Sequence, residues 1–138
     1  MAVDVGVRDL IRSYVALRDS ATETNGSPAY LLLCYGVECG MKAAYLRKRG
    51  KRAQGTQDLP DNLRNHDLLK IAKELRLDAG LTSQLSACHR SHDGHLTVAP
   101  QELHEAWRYG ATLKHEDEKG ALAALNNLSE WCRKEHSR

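Results

Sequence analysis

The longest apolar stretch of the chain runs from Ala29 to Arg49 and predicts a helix surrounded by other helices. Ser27 is predicted to be its N-cap, Pro28 suits a first helical position, and Gly50 follows a run of basic residues. Apolar side chains occupy most positions in between and leave almost no polar face. We therefore predict that residues 29–49 form the central helix of the core.

Helical periodicity recurs on both sides of this segment. Apolar residues repeat at three- and four-residue steps over residues 3–21, and another run in residues 65–79 predicts a helix capped by Asn65 and ended by Gly80. A shorter helix is expected from Thr82 to about residue 93, a short segment from Pro100 to residue 110, and a last helix over residues 117–135. The pattern predicts an all-α fold, an up-and-down helical bundle of four main helices plus one or two short helices.

Length, net charge and cysteine content limit the classes of protein to which this chain could belong. A chain of 138 residues fits a single domain spanning residues 1–138. The formal net charge of +2 gives no global field, so any contact with nucleic acid must come from a local basic patch. No signal peptide or membrane span is expected, and four cysteines without a CxxC pair favour a reducing, cytoplasmic setting.

Two charged residues interrupt the central apolar segment. Glu38 and Lys42 lie four residues apart, in the order that favours an ion pair on one helical face. A charge in so apolar a helix needs a partner, unless the pair is simply exposed. Arg108 is predicted to hold Glu38, with Tyr109 beside it, and all three would then have a structural role.

Basic residues are concentrated at the end of the central segment. Arg47, Arg49 and Arg52, with Lys42 further back, are the candidates for binding RNA or a nucleotide through phosphate groups. Cations at a helix C-terminus also complement its macrodipole and stay solvated, so both interpretations remain open.

A second group of side chains could in principle bind a metal ion. Cys88, His89, His92 and His95 are close in sequence, and Cys88 and His92 would share a helical face. The second paired set of ligands that structural zinc sites use is absent from the sequence. We therefore predict no metal site and no cofactor. Without a metal ion, these residues would form a polar helix end with a buried Cys88.

Three short motifs together resemble the HEPN domain superfamily. They are Glu38 and Lys42 inside an apolar second helix, His66-Asp67-Leu68 at the start of the third, and Arg108-Tyr109 before the last. The resemblance spans residues 27–132 and implies a helical bundle that often dimerises. It also implies either a metal-independent ribonuclease, with a site assembled across the dimer, or a catalytically silent binding module.

Catalytic members of that superfamily carry an Arg and a His separated by four to six residues. This spacing occurs between Arg90 and His95 and between Arg108 and His115, and about two such pairs are expected by chance in this composition. Arg90 is followed by the polar Ser91, as in catalytic members, so Arg90 and His95 are the first candidates and Arg108 and His115 the second. The His would serve as base and the Arg would stabilise the phosphate.

The leading hypothesis is a HEPN-like homodimer that acts in RNA or nucleotide biology, with metal-independent ribonuclease activity of toxin or defence type as one form. The alternative is a catalytically silent binding or regulatory module, with a partner protein, whose polar residues only hold the bundle together. A plain structural bundle is a third possibility.

Overall fold

The computed structural model describes residues 3–50 and 54–137, and five α-helices within these residues form a bundle. The three long helices are α1 (Val7–Thr22), α2 (Ser27–Lys48) and α5 (His115–His136), and the two short ones are α3 (Leu68–Glu74) and α4 (Leu103–Tyr109). The predicted all-α bundle is confirmed. In residues 3–50 and 54–137, no helix combines the length and apolar composition needed to cross a membrane.

Helix α2 is the centre of the bundle, as its sequence predicts. It packs against each of the other four helices, and Met41, Ala43 and Leu46 are completely buried. Its first residue is Ser27, and the N-cap is Gly26 rather than the predicted Ser27. Gly26 has a φ of 70°, a conformation that glycine adopts without strain.

The other two long helices flank α2. The short connection of residues 23–26 folds α2 back along α1. The hydroxyl of Tyr14 on α1 donates to the carbonyl of Ser129 on α5 at 2.7 Å. The His136 ring at the end of α5 lies 2.8 Å from the carbonyl oxygen of Gly40. Polar contacts therefore join these helices in addition to their apolar packing.

The third helix is shorter than the predicted segment, and both of its ends have a local cause. Asp67, rather than Asn65, is the cap, because its carboxylate accepts the Lys70 N–H at 3.2 Å. Arg76 takes a left-handed conformation with a φ of 56°, and the Leu77 N–H then donates to the carbonyl of Ala72. This C-terminal motif ends the helix before Gly80 is reached.

The predicted helix from Thr82 to residue 93 does not form. After a 3-10 turn at Ala79–Leu81, the chain becomes extended and forms a two-stranded antiparallel ribbon of β1 (Cys88–His89) and β2 (Thr97–Val98). The strands are joined through a turn in which the Leu96 N–H donates to the carbonyl of Asp93. Strands of two residues are too short to show an alternating pattern in the sequence, and so they were not predicted.

Candidate functional site

Polar and aromatic side chains from α2, α4 and the loop before α3 converge around Glu38. Tyr35, Glu38 and Lys42 lie on one face of α2, since they are three and four residues apart. His104 and Arg108 are four residues apart on α4, and His66 directly precedes the cap of α3. We call these residues the Glu38 cluster: Tyr35, Glu38, Lys42, His66, His104 and Arg108.

Each carboxylate oxygen of Glu38 has its own partner. The Lys42 ammonium donates to Oε2 at 2.8 Å, and Nδ1 of His66 lies 2.6 Å from Oε1. The side chains of Glu38 and Lys42 are 13% and 10% exposed, whereas that of His66 is 44% exposed. The buried carboxylate of Glu38 is therefore paired with the Lys42 ammonium and hydrogen-bonded with His66 rather than paired with Arg108, which corrects the predicted pairing.

The loop before α3 fixes the position of His66. The side chain of Asn65 accepts the N–H of Asp67 at 3.0 Å, and Asp67 in turn caps α3. Such side-chain to backbone bonds hold a tight turn in one conformation. His66 lies between these two residues, so the turn presents its ring to Glu38 on α2.

The second histidine of the cluster is enclosed. His104 is only 6% exposed, and its ring centroid lies 4.2 Å from that of His66. Burial lowers the pKa of His104, and the nearby His66 lowers it further. The neutral imidazole of His104 is therefore favoured beside the more exposed ring of His66.

Arg108 and Tyr109 lie at the surface, so Arg108 does not hold Glu38 as predicted. Trp107 is buried and donates its indole N–H to Glu118 at 3.0 Å, but Tyr109 is 77% exposed. The guanidinium of Arg108 lies 5.7 Å from the ring centroid of Tyr35 and 5.8 Å from that of Tyr109, and it donates to the Tyr35 hydroxyl. A cation held against two aromatic rings is thus presented to solvent.

The first catalytic candidates, Arg90 and His95, flank the turn between the two strands rather than a helix end. The backbone N–H of Arg90 donates to the carbonyl of Leu96, and its side-chain Nε is enclosed without a hydrogen-bond partner among the described residues. His95 is exposed, and its backbone N–H donates to Asp93. Of the second pair, Arg108 is at the end of α4 and His115 is the exposed first residue of α5.

The predicted basic candidates separate into two environments. Arg47 and Arg49 are exposed at the end of α2, where Arg47 contacts the His136 ring at 3.2 Å and Arg49 lies over the Tyr45 ring. Lys42 is buried with its ammonium on Glu38. Arg52 lies outside the described residues.

The four residues considered as metal ligands are also separated. Cys88 and His89 are neighbours on β1, where successive side chains point to opposite faces, and Cys88 is buried. Burial raises the pKa of the Cys88 thiol to about 11. The His89 ring lies 2.8 Å from Asp117. In the part of the chain that the structure describes, no group of three or more His, Cys, Asp or Glu side chains could hold a metal ion.

In the sequence, His66 stood out only as part of a motif and not as a candidate site residue, and two further members of the Glu38 cluster, Tyr35 and His104, were not among the predicted residues. Each has a helical neighbour that was predicted, since Tyr35 is three residues before Glu38 and His104 four residues before Arg108. That spacing was the available signal. It shows which side chains share a face of one helix, but it does not show that the two helices bring those faces together.

The chain matches no family model, no curated protein and no solved structure in comparisons with known proteins.

Proposed function

We propose that this chain is a HEPN-like domain that binds RNA or a nucleotide through the Glu38 cluster and the adjacent Tyr109. The observation that carries the proposal is the placement of the Arg108 guanidinium against the rings of Tyr35 and Tyr109, with Tyr109 largely exposed. A guanidinium matches the geometry of a phosphate, and an exposed tyrosine offers a face on which a base can stack.

The charge environment of Arg108 supports this proposal. Its described contacts are a phenol and two aromatic rings rather than a carboxylate, so its positive charge is not cancelled by a salt bridge. Arg47 and Arg49 add further exposed positive charge at the end of α2. Since the net charge is only +2, a local patch of this kind is what nucleic-acid binding would require.

A binding titration tests the proposal. Fluorescence anisotropy with a short single-stranded RNA, and calorimetry with a nucleoside monophosphate, should show binding by the native chain. Tyr109→Ala should raise Kd by about 5- to 150-fold, because stacking of a base on an aromatic ring contributes about 1–3 kcal/mol. Arg108→Ala should also raise Kd and should reduce the dependence of Kd on salt.

Arg12→Ala is the matched control, because Arg12 is an exposed arginine on α1. It should bind like the native chain. Absence of binding by the native chain, or equal Kd values for all variants, would reject the proposal and favour the catalytically silent module in which these residues are structural.

We also propose a reducing, cytoplasmic setting. All four cysteines are unpaired, and three of them, Cys34, Cys88 and Cys132, are buried. Buried thiols of this kind behave as small apolar side chains, and unpaired cysteines are typical of reducing compartments.

A further inference from the structure

A cavity of about 120 Å³ lies between α2, the segment before α1 and the loop of residues 54–64. Some of its lining residues are buried and the others are exposed, so the cavity reaches from the core to the surface. We call it the Lys42 cavity, and its lining includes Asp4, Lys42, Thr56, Gln57, Leu59 and Arg64. A protein cavity of about 150 Å³ holds benzene, so a cavity of this size suits a ligand of about six non-hydrogen atoms.

Lys42 brings a buried positive charge to this cavity. The residue is only 8% exposed, and its ammonium donates to Oε2 of Glu38 at 2.8 Å. An ammonium has three N–H donors, so this bond leaves two donors for other acceptors. Since unpaired donors in a protein interior are costly, an acceptor group in the cavity would stabilise Lys42. A ligand carboxylate is such a group.

Arg64 adds a second cation at the wall of the same cavity. Its Nε donates to the carbonyl of Leu59 at 3.0 Å, and one of its Nη atoms donates to the carbonyl of Gln57. Both carbonyls belong to residues that line the cavity, so the guanidinium lies against its wall. The carboxylate of Asp61, 3.7 Å from the other Nη atom, is fully exposed and is therefore a weak partner for this charge. The positive charge of Arg64 is thus available to an anion in the cavity.

Asp4 places a negative charge on this cavity. Its Oδ1 accepts the Gln57 N–H at 2.9 Å, which holds the carboxylate against the loop. Gly55 permits this approach, because a Cβ atom at that position would lie 2.5 Å from Oδ1. The hydrogen bonds of the Asp4 side chain with the described residues are made by Oδ1, so Oδ2 is left for a donor on a ligand.

We propose that the Lys42 cavity binds a small amino acid in its zwitterionic form, such as glycine or alanine. Since all three charged residues line one small cavity, a ligand within it lies close to two cations and one carboxylate. The carboxylate of the ligand pairs with Lys42 and Arg64, and its ammonium pairs with Asp4. A simple carboxylate would leave Asp4 facing a like charge, and a simple amine would leave Lys42 and Arg64 facing one. The buried Leu59 offers an apolar contact for the methyl group of alanine.

An NMR titration of the isotope-labelled chain tests this proposal. L-Alanine should shift the backbone amide signals of Thr56 and Gln57 along a saturating curve that gives Kd. Propionate, which lacks the ammonium, and ethylamine, which lacks the carboxylate, should bind at least about 10-fold more weakly, because each loses hydrogen bonds between charged groups. Shifts that do not saturate with alanine, or a Kd for propionate equal to that for alanine, would overturn the proposal.

Variants test the charged groups one at a time. Asp4→Asn should raise the Kd for alanine by at least about 10-fold and should not raise the Kd for propionate, since only alanine carries an ammonium. Arg64→Gln should raise both Kd values. Asp9→Asn is the matched control, because Asp9 is an exposed acid on α1, and it should bind alanine like the native chain. Native affinity for alanine in Asp4→Asn, or in Arg64→Gln, would overturn the assignment of the ligand.

The proposed RNA surface is tested separately from this cavity. Tyr109 is not among the residues that line the cavity, so Tyr109→Ala should bind alanine like the native chain. Asp4→Asn should bind the single-stranded RNA with the native Kd. Loss of alanine binding in folded Tyr109→Ala would overturn the placement of the amino acid in the Lys42 cavity. The two proposals can therefore fail independently of each other.

Discussion

We expect the burial of His104 to make the stability of the fold sensitive to mild acid. Its ring faces His66 and lies within reach of Glu38, and its Nε2 is 4.0 Å from the carboxylate of the adjacent Glu105. Despite these two acids, burial lowers the pKa of His104 in the folded state. In the unfolded chain, the pKa of His104 returns to its ordinary value of about 6.5. The unfolded chain therefore binds a proton at this residue more readily than the folded chain does. The contribution of the neutral His104 to the free energy of unfolding is therefore fully present above about pH 6.5. It is lost as the pH falls through the lowered pKa of the folded state.

We predict that His104→Gln unfolds with a weaker dependence on pH than the native chain between pH 7.5 and 5. The slope of the unfolding free energy should fall by up to about 1.4 kcal/mol per pH unit, the limit for one proton. Denaturant titrations at several pH values measure it. His92→Gln, at an exposed position, should keep the native slope. An unchanged slope in His104→Gln would show that other groups cause the sensitivity to acid.

Individual side chains differ in how far the sequence predicted their surroundings. The spacing of Glu38 and Lys42 predicted their contact, because both residues lie on one helix. Tyr109 was predicted to have a structural role beside Arg108, but it lies two residues after the buried Trp107, and residues two apart on a helix point in directions about 200° apart. Helix α4 therefore buries Trp107 and leaves Tyr109 exposed.

At the scale of helices, α2 and α5 approach each other closely at Gly40. A Cβ atom at this position would lie 2.8 Å from Sγ of Cys132 and 3.1 Å from a ring carbon of Tyr14. Glycine inside a helix ordinarily costs about 1 kcal/mol relative to alanine, so Gly→Ala would normally stabilise the protein. We predict the opposite sign for Gly40→Ala, since overpacking of a buried position typically costs about 1–3 kcal/mol.

Gly120 provides the matched control for this prediction. It lies inside α5, where an added Cβ would meet only Gln84, at an ordinary contact distance of 3.8 Å. Gly120→Ala should therefore stabilise the protein by roughly 0.5–1 kcal/mol. Chemical denaturation of both variants measures the difference, and a Gly40→Ala variant as stable as Gly120→Ala would show that the two helices can separate slightly without cost.

Long helices were predicted better than short elements. The apolar period of α1 and α5 and the nearly continuous apolar run of α2 each extend for several turns, so the sequence specifies these helices strongly. Residues 82–99 form their structure through contacts with distant residues. The Ser91 N–H donates to the carbonyl of Thr112, and the Lys114 N–H donates to that of His89. Such pairing between residues far apart in the chain has no local period.

At the scale of the whole molecule, the Glu38 cluster depends on how α2, α4 and the loop before α3 come together. His66 lies 28 residues after Glu38, and Arg108 lies 73 residues after Tyr35. The motifs that resemble the HEPN superfamily include Glu38, His66 and Arg108, but they do not predict which of these side chains are in contact. The contacts follow from the packing of α4 and the loop on α2, which a periodic pattern does not encode.

We propose that the chain forms a homodimer, as the resemblance implies, and that its contact surface involves either the ribbon or α1. Leu96 in the turn between the strands is 51% exposed, and Val15 on α1 is also a partly exposed apolar side chain. A charge placed in an apolar contact between two chains would weaken it. Sedimentation at micromolar concentration should show a dimer that Leu96→Asp or Val15→Asp converts to a monomer, which would identify the surface. A monomeric native chain would contradict the proposal.

If the chain forms the proposed dimer, the candidate site could lie within one chain or between two. All six residues of the Glu38 cluster come from one chain and contact one another within it. We therefore expect that whichever charge variant becomes monomeric still binds the single-stranded RNA with a Kd close to that of the native chain. Anisotropy titrations at concentrations where sedimentation shows only monomer test this. Loss of binding in a folded monomer would indicate that the partner subunit completes the site, as in the cross-dimer arrangement that the resemblance implies.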